Sequence, residues 1–311
     1  GFNMLAAFNV NSAFATYDFY NPNLTPYIIG GILAALTAYS IFGGGKRLSE
    51  VASFLVPIMS VIYIIAAIII IIKNITLVPS MFADIFRGAF DFKAIFGGFA
   101  GSAVMMGLKR GLYSNEAGIG SAPNAAAAAD VSHPVKQGLV QMMAVYLDTM
   151  IICTATALML LASGIAPDPD LAGAPYNVAA LTANFGAFGQ HFLAFAIFLF
   201  GFTTLIGNYY YSESNFKYLA GEKLSKTSLQ VLRAIAVILV FFGPSMEFGV
   251  AWDTADVLMA AMALINIPAI FILKDPVVAC MKDYIEQKRQ NKDPVFKVEA
   301  IDLKDEVDFW K

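Results

Sequence analysis

Twenty-two consecutive residues, Val51 to Ile72, carry no charge, and nine of them are isoleucine, so the stretch offers water no polar face. A helix crossing about 30 Å of hydrocarbon needs about 20 apolar residues. In that medium each peptide N–H and C=O must be bonded within the segment, which makes the helix the conformation for a single apolar run. Six further runs have the same reading: Thr25 to Phe42, Phe92 to Leu108, Val135 to Ala162, Gly189 to Ser212, Leu229 to Pro244 and Val257 to Leu273, with part of another at Gly1 to Tyr17. Composition agrees: hydrophobic residues make up 58% and charged ones 14%, against about 25% charged in a soluble chain. The predicted fold class is all-α, a polytopic transmembrane helical bundle over residues 1–274 with a cytoplasmic tail over 275–311.

The placement of Lys and Arg sets the predicted orientation. One side collects Lys46, Arg47, Lys109, Arg110, Lys136, Lys217, Lys223, Lys226, Arg233 and the tail; the other receives Lys73, Arg87 and Lys93. The first side is predicted to be cytoplasmic. The segment 163–188, with Asp168 and Asp170 but no base, then faces outward. Pro79 to Phe90 reads as a short amphipathic helix on the outer surface.

Several function classes are excluded at this point. The net charge of −3 and the lack of a basic stripe argue against nucleic acid. Cys153 and Cys280 stand in unlike surroundings, and no Cys/His group has zinc-like spacing. An intramembrane enzyme needs paired catalytic groups at depth, whereas Asp148 is the one deep acid and His191 lies near the outer mouth. No phosphate-binding loop is present. The chain opens at Gly1 inside an apolar stretch, so it is expected to begin within a longer protein.

The most informative stretch is Gly107 to Pro123, GLKRGLYSNEAGIGSAP. It follows a run too short for a full crossing, and Gly107 and Gly111 are expected to interrupt the helix. A short, glycine-broken span points to a transporter site, because unwound peptide groups at membrane depth need partners that a solute supplies. An ordinary re-entrant turn fits the same pattern.

The second stretch is FGFTTLIGNYYY, where the Thr203 and Thr204 hydroxyls and the Phe200 carbonyl offer a small cation three oxygens if Gly201 loosens the helix. Threonines bonded to carbonyls one turn back are the alternative. Asp148 is an intramembrane acid, expected to meet Lys109, Arg110, Thr149 or Thr154, either as a structural pair or in cation coupling. Asp253 and Asp256 are expected at the outer mouth of the last span, as gating or capping acids. Asn9, Asn11 and Ser12 face either the translocation path or neighbouring helices. Tyr209 to Tyr211 read as an interfacial aromatic belt.

The run GLKRGLYSNEAGIGSAP resembles the signature of the alanine or glycine:cation symporter family. GGGKRLSEVASFLVPIM, HPVKQGLVQ with DTMIICTATALM, FTTLIGNYYYSESN, WDTADVLMAAMALINIP and the tail KDPVFKVEAIDLKDEVDFW match the same family in order. The family often has Gln before the small polar pair near the start, where this chain reads Asn9-Val10-Asn11.

The resemblance implies a LeuT-like fold of two inverted five-helix repeats with the N-terminal helices missing here. It also implies symport of small neutral amino acids, alanine or glycine, into the cell with sodium, or alternatively protons. The chain would then supply the end of helix three and helices four to ten, in a plasma membrane of prokaryotic type. The broken sixth helix would run from Phe92 to about Ala128, and the eighth would carry the sodium ligands. On that basis Met105, Met106, Gly107, Gly111, Ser114, Asn115 and Asn11 are expected to bind substrate. Phe200 (by its carbonyl), Thr203 and Thr204 are expected to bind sodium, and Asp148 and Asp256 to serve coupling or gating. The partners implied are the amino acid, the sodium ion and the lipid bilayer; no cofactor is implied.

Overall fold

The computed structural model describes residues 1–98, 102–166, 168, 171–221 and 225–301. Asp170, Lys223 and the tail end from 302 lie outside the described residues. Every regular element among those described is helical. The order is α1 (Phe2–Phe14), α2 (Thr25–Phe42), α3 (Gly44–Lys73), α4 (Val78–Ala89), α5 (Phe92–Gly97), α6 (Ala103–Asn115) and α7 (Ala122–Ala126). There follow α8 (Pro134–Tyr146), a π-helical turn (Leu147–Cys153), α9 (Thr154–Ala162), α10 (Ala174–Phe185), α11 (Ala187–Ala220), α12 (Lys226–Phe242), α13 (Phe248–Ile272) and α14 (Lys274–Arg289).

Six helical runs among the described residues are long and apolar enough to cross a membrane: Thr25–Phe42, Ser53–Lys73, Pro134–Ala162, Ala187–Ala220, Lys226–Ser245 and Phe248–Ile272. The seventh expected run, Phe92 to Leu108, is not one helix. α5 stops at Gly97 and Gly98 is not helical, as two adjacent glycines, each about 1 kcal/mol worse than alanine in a helix, allow. The last span starts nine residues earlier than expected, at Phe248 rather than Val257.

The chain divides into two compact units: Gly1–Met106 with Ile152–Leu258, and Gly107–Ile151 with Met259–Lys311. In the first, α1 is the central helix. Leu5, Ala7, Val10 and Ala13 are fully buried, and α1 packs on α11, α10, α12 and the 3-10 turn Gly243–Ser245. Apolar side chains gain nothing from one another in lipid, so helices there associate through close backbone approach at small residues. Two glycines serve this here. A Cβ on Gly201 would lie 2.3 Å from Val10 Cγ2, and one on Gly30 would lie 2.3 Å from the Phe241 carbonyl oxygen.

On α3 the buried face is Tyr63, Ala67 and Ile70, at helical spacing, while Ile62, Ile65, Ile68, Ile69 and Ile72 are exposed. An isoleucine-rich exposed face suits a lipid surround.

In the second unit α8 packs on α7 and α14. His133 is fully buried; its Nδ1 accepts the Val135 amide at 3.2 Å and caps α8. That leaves Nε2 as the donor to Asp283 of α14, at 3.2 Å. The tail folds back: Phe296 N donates to the Ser132 carbonyl at 2.8 Å, and Lys136 Nζ meets Asp293 at 2.7 Å.

Candidate functional site

α6 runs unbroken through Gly107 and Gly111, so these glycines do not interrupt it as expected. Both lie in open space, with nothing within 4 Å of a would-be Cβ, and a helix tolerates them at about 1 kcal/mol each. The interruption comes later. Glu116, Gly118 and Gly120 have φ of 50°, 78° and 107°, and a new helix starts only at Ala122. Left-handed backbone at Glu116 costs about 1–2 kcal/mol, so neighbouring contacts must hold it.

Those contacts are polar side chains from two other segments. Asn266 of α13 donates to the Gly118 carbonyl at 3.0 Å. Asn124 donates to the carbonyls of Gly120 and Ser121 at 3.3 and 3.1 Å. Gly120 is fixed twice over: its φ suits glycine, and a Cβ there would sit 3.0 Å from Asn266 Cβ. On the other side of the break, Ser114 Oγ donates to Asp148 Oδ2. Asn115 Nδ2 donates to Thr149 Oγ1 at 2.8 Å, and that hydroxyl donates to Asn115 Oδ1 at 3.0 Å. Four expected or neighbouring polar residues, Ser114, Asn115, Asp148 and Thr149, thus come together. Met105 is half-buried and Met106 is exposed.

Thr203 and Thr204 occupy a regular stretch of α11. Thr203 Oγ1 donates to the carbonyls of Leu199 and Phe200 at 3.1 and 3.0 Å, and Thr204 Oγ1 donates to that of Phe200 at 2.8 Å. The three expected oxygens therefore cluster, though through local bonding and not through a loosened helix. Gly201 admits α1 rather than unwinding α11. Each hydroxyl that donates in this way keeps its acceptor lone pairs.

Asn11 is 4% exposed. Its Nδ2 donates to the Pro244 carbonyl at 3.1 Å and to the Tyr20 hydroxyl at 2.9 Å, while Oδ1 is buried with no partner. Asn11 also lines a cleft of about 540 Å³ with Phe8, Ser12, Tyr20, Tyr27 and Phe248. Bracing and lining therefore coexist in one residue. Asp256 is half-buried within α13, which begins at Phe248.

Tyr209 departs from the aromatic-belt reading. It is 1% exposed and donates to Glu213, which also meets Lys217 and Arg233. Arg233 Nε donates back to the Tyr209 hydroxyl at 3.3 Å. Asn266, Asn124 and this cluster were missed by sequence reasoning. For Asn266 a signal existed, an amide in the middle of the apolar run VLMAAMALINIPAIF.

Membrane-length apolar helices and a left-handed break held by amide and hydroxyl side chains define a polytopic α-helical membrane protein. Its residues 1–298 match the sequence profile of the sodium:alanine symporter family, and the chain belongs to that family. It is 43% identical over 284 residues to the amino-acid carrier protein AlsT of Bacillus subtilis, covering 91% of this chain and 60% of that one. Over 301 residues it is 40% identical to the putative sodium/proton-dependent alanine carrier protein YrbD of the same organism, covering 93% and 62%. The probable sodium/glutamine symporter GlnT, also of B. subtilis, is 43% identical over 282 residues, with 91% and 58% covered. The chain thus spans about three-fifths of the length of these relatives.

Proposed function

We propose that the chain is part of a secondary active symporter that carries small neutral amino acids, alanine or glycine, into the cell with sodium by alternating access. The observation that carries this reading is the family match over residues 1–298, met by a broken segment with its peptide groups held by side chains. The proposed fold is the five-plus-five inverted repeat, in a plasma membrane of the bacterial inner-membrane kind, with the C-terminus cytoplasmic. The clustering of Lys and Arg on one set of loops supports that orientation.

The proposed substrate seat follows one stripe of α6. Gly107, Gly111 and Ser114 recur at spacings of four and three residues and so share a face, with open space over both glycines. A small amino acid lies along that stripe, with Met105 and Met106 as apolar wall and Asn115 at its end. Backbone N–H groups of the break receive its carboxylate, and Asn11 is proposed from the family resemblance as a further substrate-binding residue. Sodium binds at Phe200 O, Thr203 Oγ1 and Thr204 Oγ1, a set of hard oxygen donors suited to a hard cation. Asp148 and Asp256 serve coupling or gating.

The test is radiolabelled alanine uptake into proteoliposomes holding the purified product of the gene that encodes this chain. Accumulation that requires an inward sodium gradient and stops when the gradient is collapsed supports the reading. Equilibration without accumulation would make the protein a channel. Accumulation driven by a proton gradient alone would favour the second reading, proton coupling, which the name of the relative YrbD suggests.

A further inference from the structure

The polar contacts at the end of α6 form a device that neither the family match nor the proposed substrate seat requires. Ser114 and Asn115 are the last two residues of α6, directly before the left-handed Glu116. They are bonded to Asp148 and Thr149, which are also adjacent in sequence. Neighbouring residues on an α-helix diverge by about a quarter turn or more, so two adjacent pairs do not ordinarily meet.

Here they meet where the partner helix is not α. Leu147–Cys153 is a π-helical turn, with more residues per turn, so Asp148 and Thr149 diverge less and address α6 together. Such turns are rare and concentrate where function needs them. The bonding is also selective. Asn115 both donates to and accepts from Thr149, which fixes its amide orientation, and Asp148 gives Ser114 a carboxyl oxygen as acceptor.

We propose that Asp148 and Thr149 are positioning residues that clamp the N-terminal edge of the break, with Asn266 clamping its middle. This rests on the reading of the segment as the substrate seat. The π turn sets the register of both bridges, and losing either lets Glu116 relax from its left-handed conformation and withdraws the aligned peptide groups from the carboxylate. The clamp acts on substrate affinity through Ser114 and Asn115 and makes no contact with substrate itself.

The test uses the transporter expressed from its own gene, with uptake normalised to protein in the membrane. Thr149→Val and Asp148→Ala should each raise the apparent KM for alanine roughly tenfold, the scale of one lost hydrogen bond, with a smaller change in maximal rate. Thr149→Ser, which keeps the hydroxyl, should restore the wild-type KM. Ser114→Ala combined with Asp148→Ala should add little to either alone, because both remove the same bridge.

Hydrogen exchange on purified protein gives a readout that needs no transport. Amides of residues 116–120 should lose protection in Thr149→Val and keep it in Thr149→Ser. Unchanged KM and unchanged protection in Thr149→Val overturn the clamp. So does a KM that Thr149→Ser fails to restore. If the wild type moves no alanine, the symport reading fails, and the exchange data still decide whether the clamp exists.

Discussion

The threonine pair on α11 and the Ser114–Asn115 pair on α6 are both adjacent polar residues on membrane helices, yet they are satisfied in opposite ways. Thr203 and Thr204 bond carbonyls three and four residues back on their own helix. Ser114 and Asn115 bond side chains 34 residues away. A hydroxyl bonded within its own turn shares an acceptor that the helix ladder already satisfies, and it keeps its lone pairs, so an arriving cation disturbs little. A bond that crosses between segments exists only in one arrangement of those segments. The first kind suits a group that meets an ion directly; the second ties Ser114 and Asn115 to the residues that position them.

Variants break that contrast most directly at α11. Changing Thr203 to Ala and Thr204 to Val together should abolish sodium-dependent uptake while membrane protein levels and melting temperature stay near wild type. The hydroxyl bonds there contribute little to folding, on the order of 0.5 kcal/mol each as surface-like substitutions go. Sodium dependence that persists would exclude these oxygens as ligands. A large fall in melting temperature would mean that they serve the fold.

The break itself comes next. Gly120→Ala places a Cβ 3.0 Å from Asn266 at a φ of 107°, a strain of about 1–3 kcal/mol. It should reduce uptake by between about fivefold and about a hundredfold on the scale of about 1.4 kcal/mol per decade. Gly118→Ala meets only Ile267 Cγ1 at 3.8 Å, so its effect is the φ strain alone, about 1–2 kcal/mol. Equal effects in the two would mean that Asn266 does not confine Gly120. Asn266→Ala removes the bond to the Gly118 carbonyl and should cost about 1 kcal/mol, read as a lower melting temperature in detergent.

The same contrast explains what sequence alone revealed. Thr25–Phe42 was readable to the residue because an uncharged run between polar flanks fixes a span by composition. The threonine bonding was readable as an alternative because it is local. The break was read one motif too early, at Gly107 and Gly111, since glycine does not itself stop a helix; it was the Asn-Glu-Ala-Gly-Ile-Gly run, with its left-handed Glu116, that did. The π turn and the Asp148–Ser114 bridge left no local mark. Tyr209 is hidden for the same reason: it packs against Ile41 of α2, and its hydroxyl meets Arg233 of α12, 24 residues on. The docked tail was hidden by its mixed charge, which reads as solvated until Ser132 and His133 are seen to receive it.

The tail offers the gentlest variant of the comparison, a cross-segment contact that is exposed. Lys136 Nζ bonds Asp293 Oδ1 at 2.7 Å, and this bond holds the Asp293 carboxyl below its usual range. An unfolded aspartate titrates near about pH 3.9. Because the folded value is lower, the stabilisation from this pair is complete above that pH and is lost as pH falls through the lowered value. The amide of Phe296, which bonds the Ser132 carbonyl at 2.8 Å, reports the docking. Its exchange protection, corrected for intrinsic rate, should be flat from neutral pH down to about pH 5 and fall only in stronger acid. Lys136→Gln should lower protection slightly at neutral pH and remove the acid-dependent part, a small change because exposed ion pairs contribute little. An acid response that Lys136→Gln leaves intact would take Asp293 out of the docking contact and leave the tail held through Ser132 and through the Asp283–His133 bond.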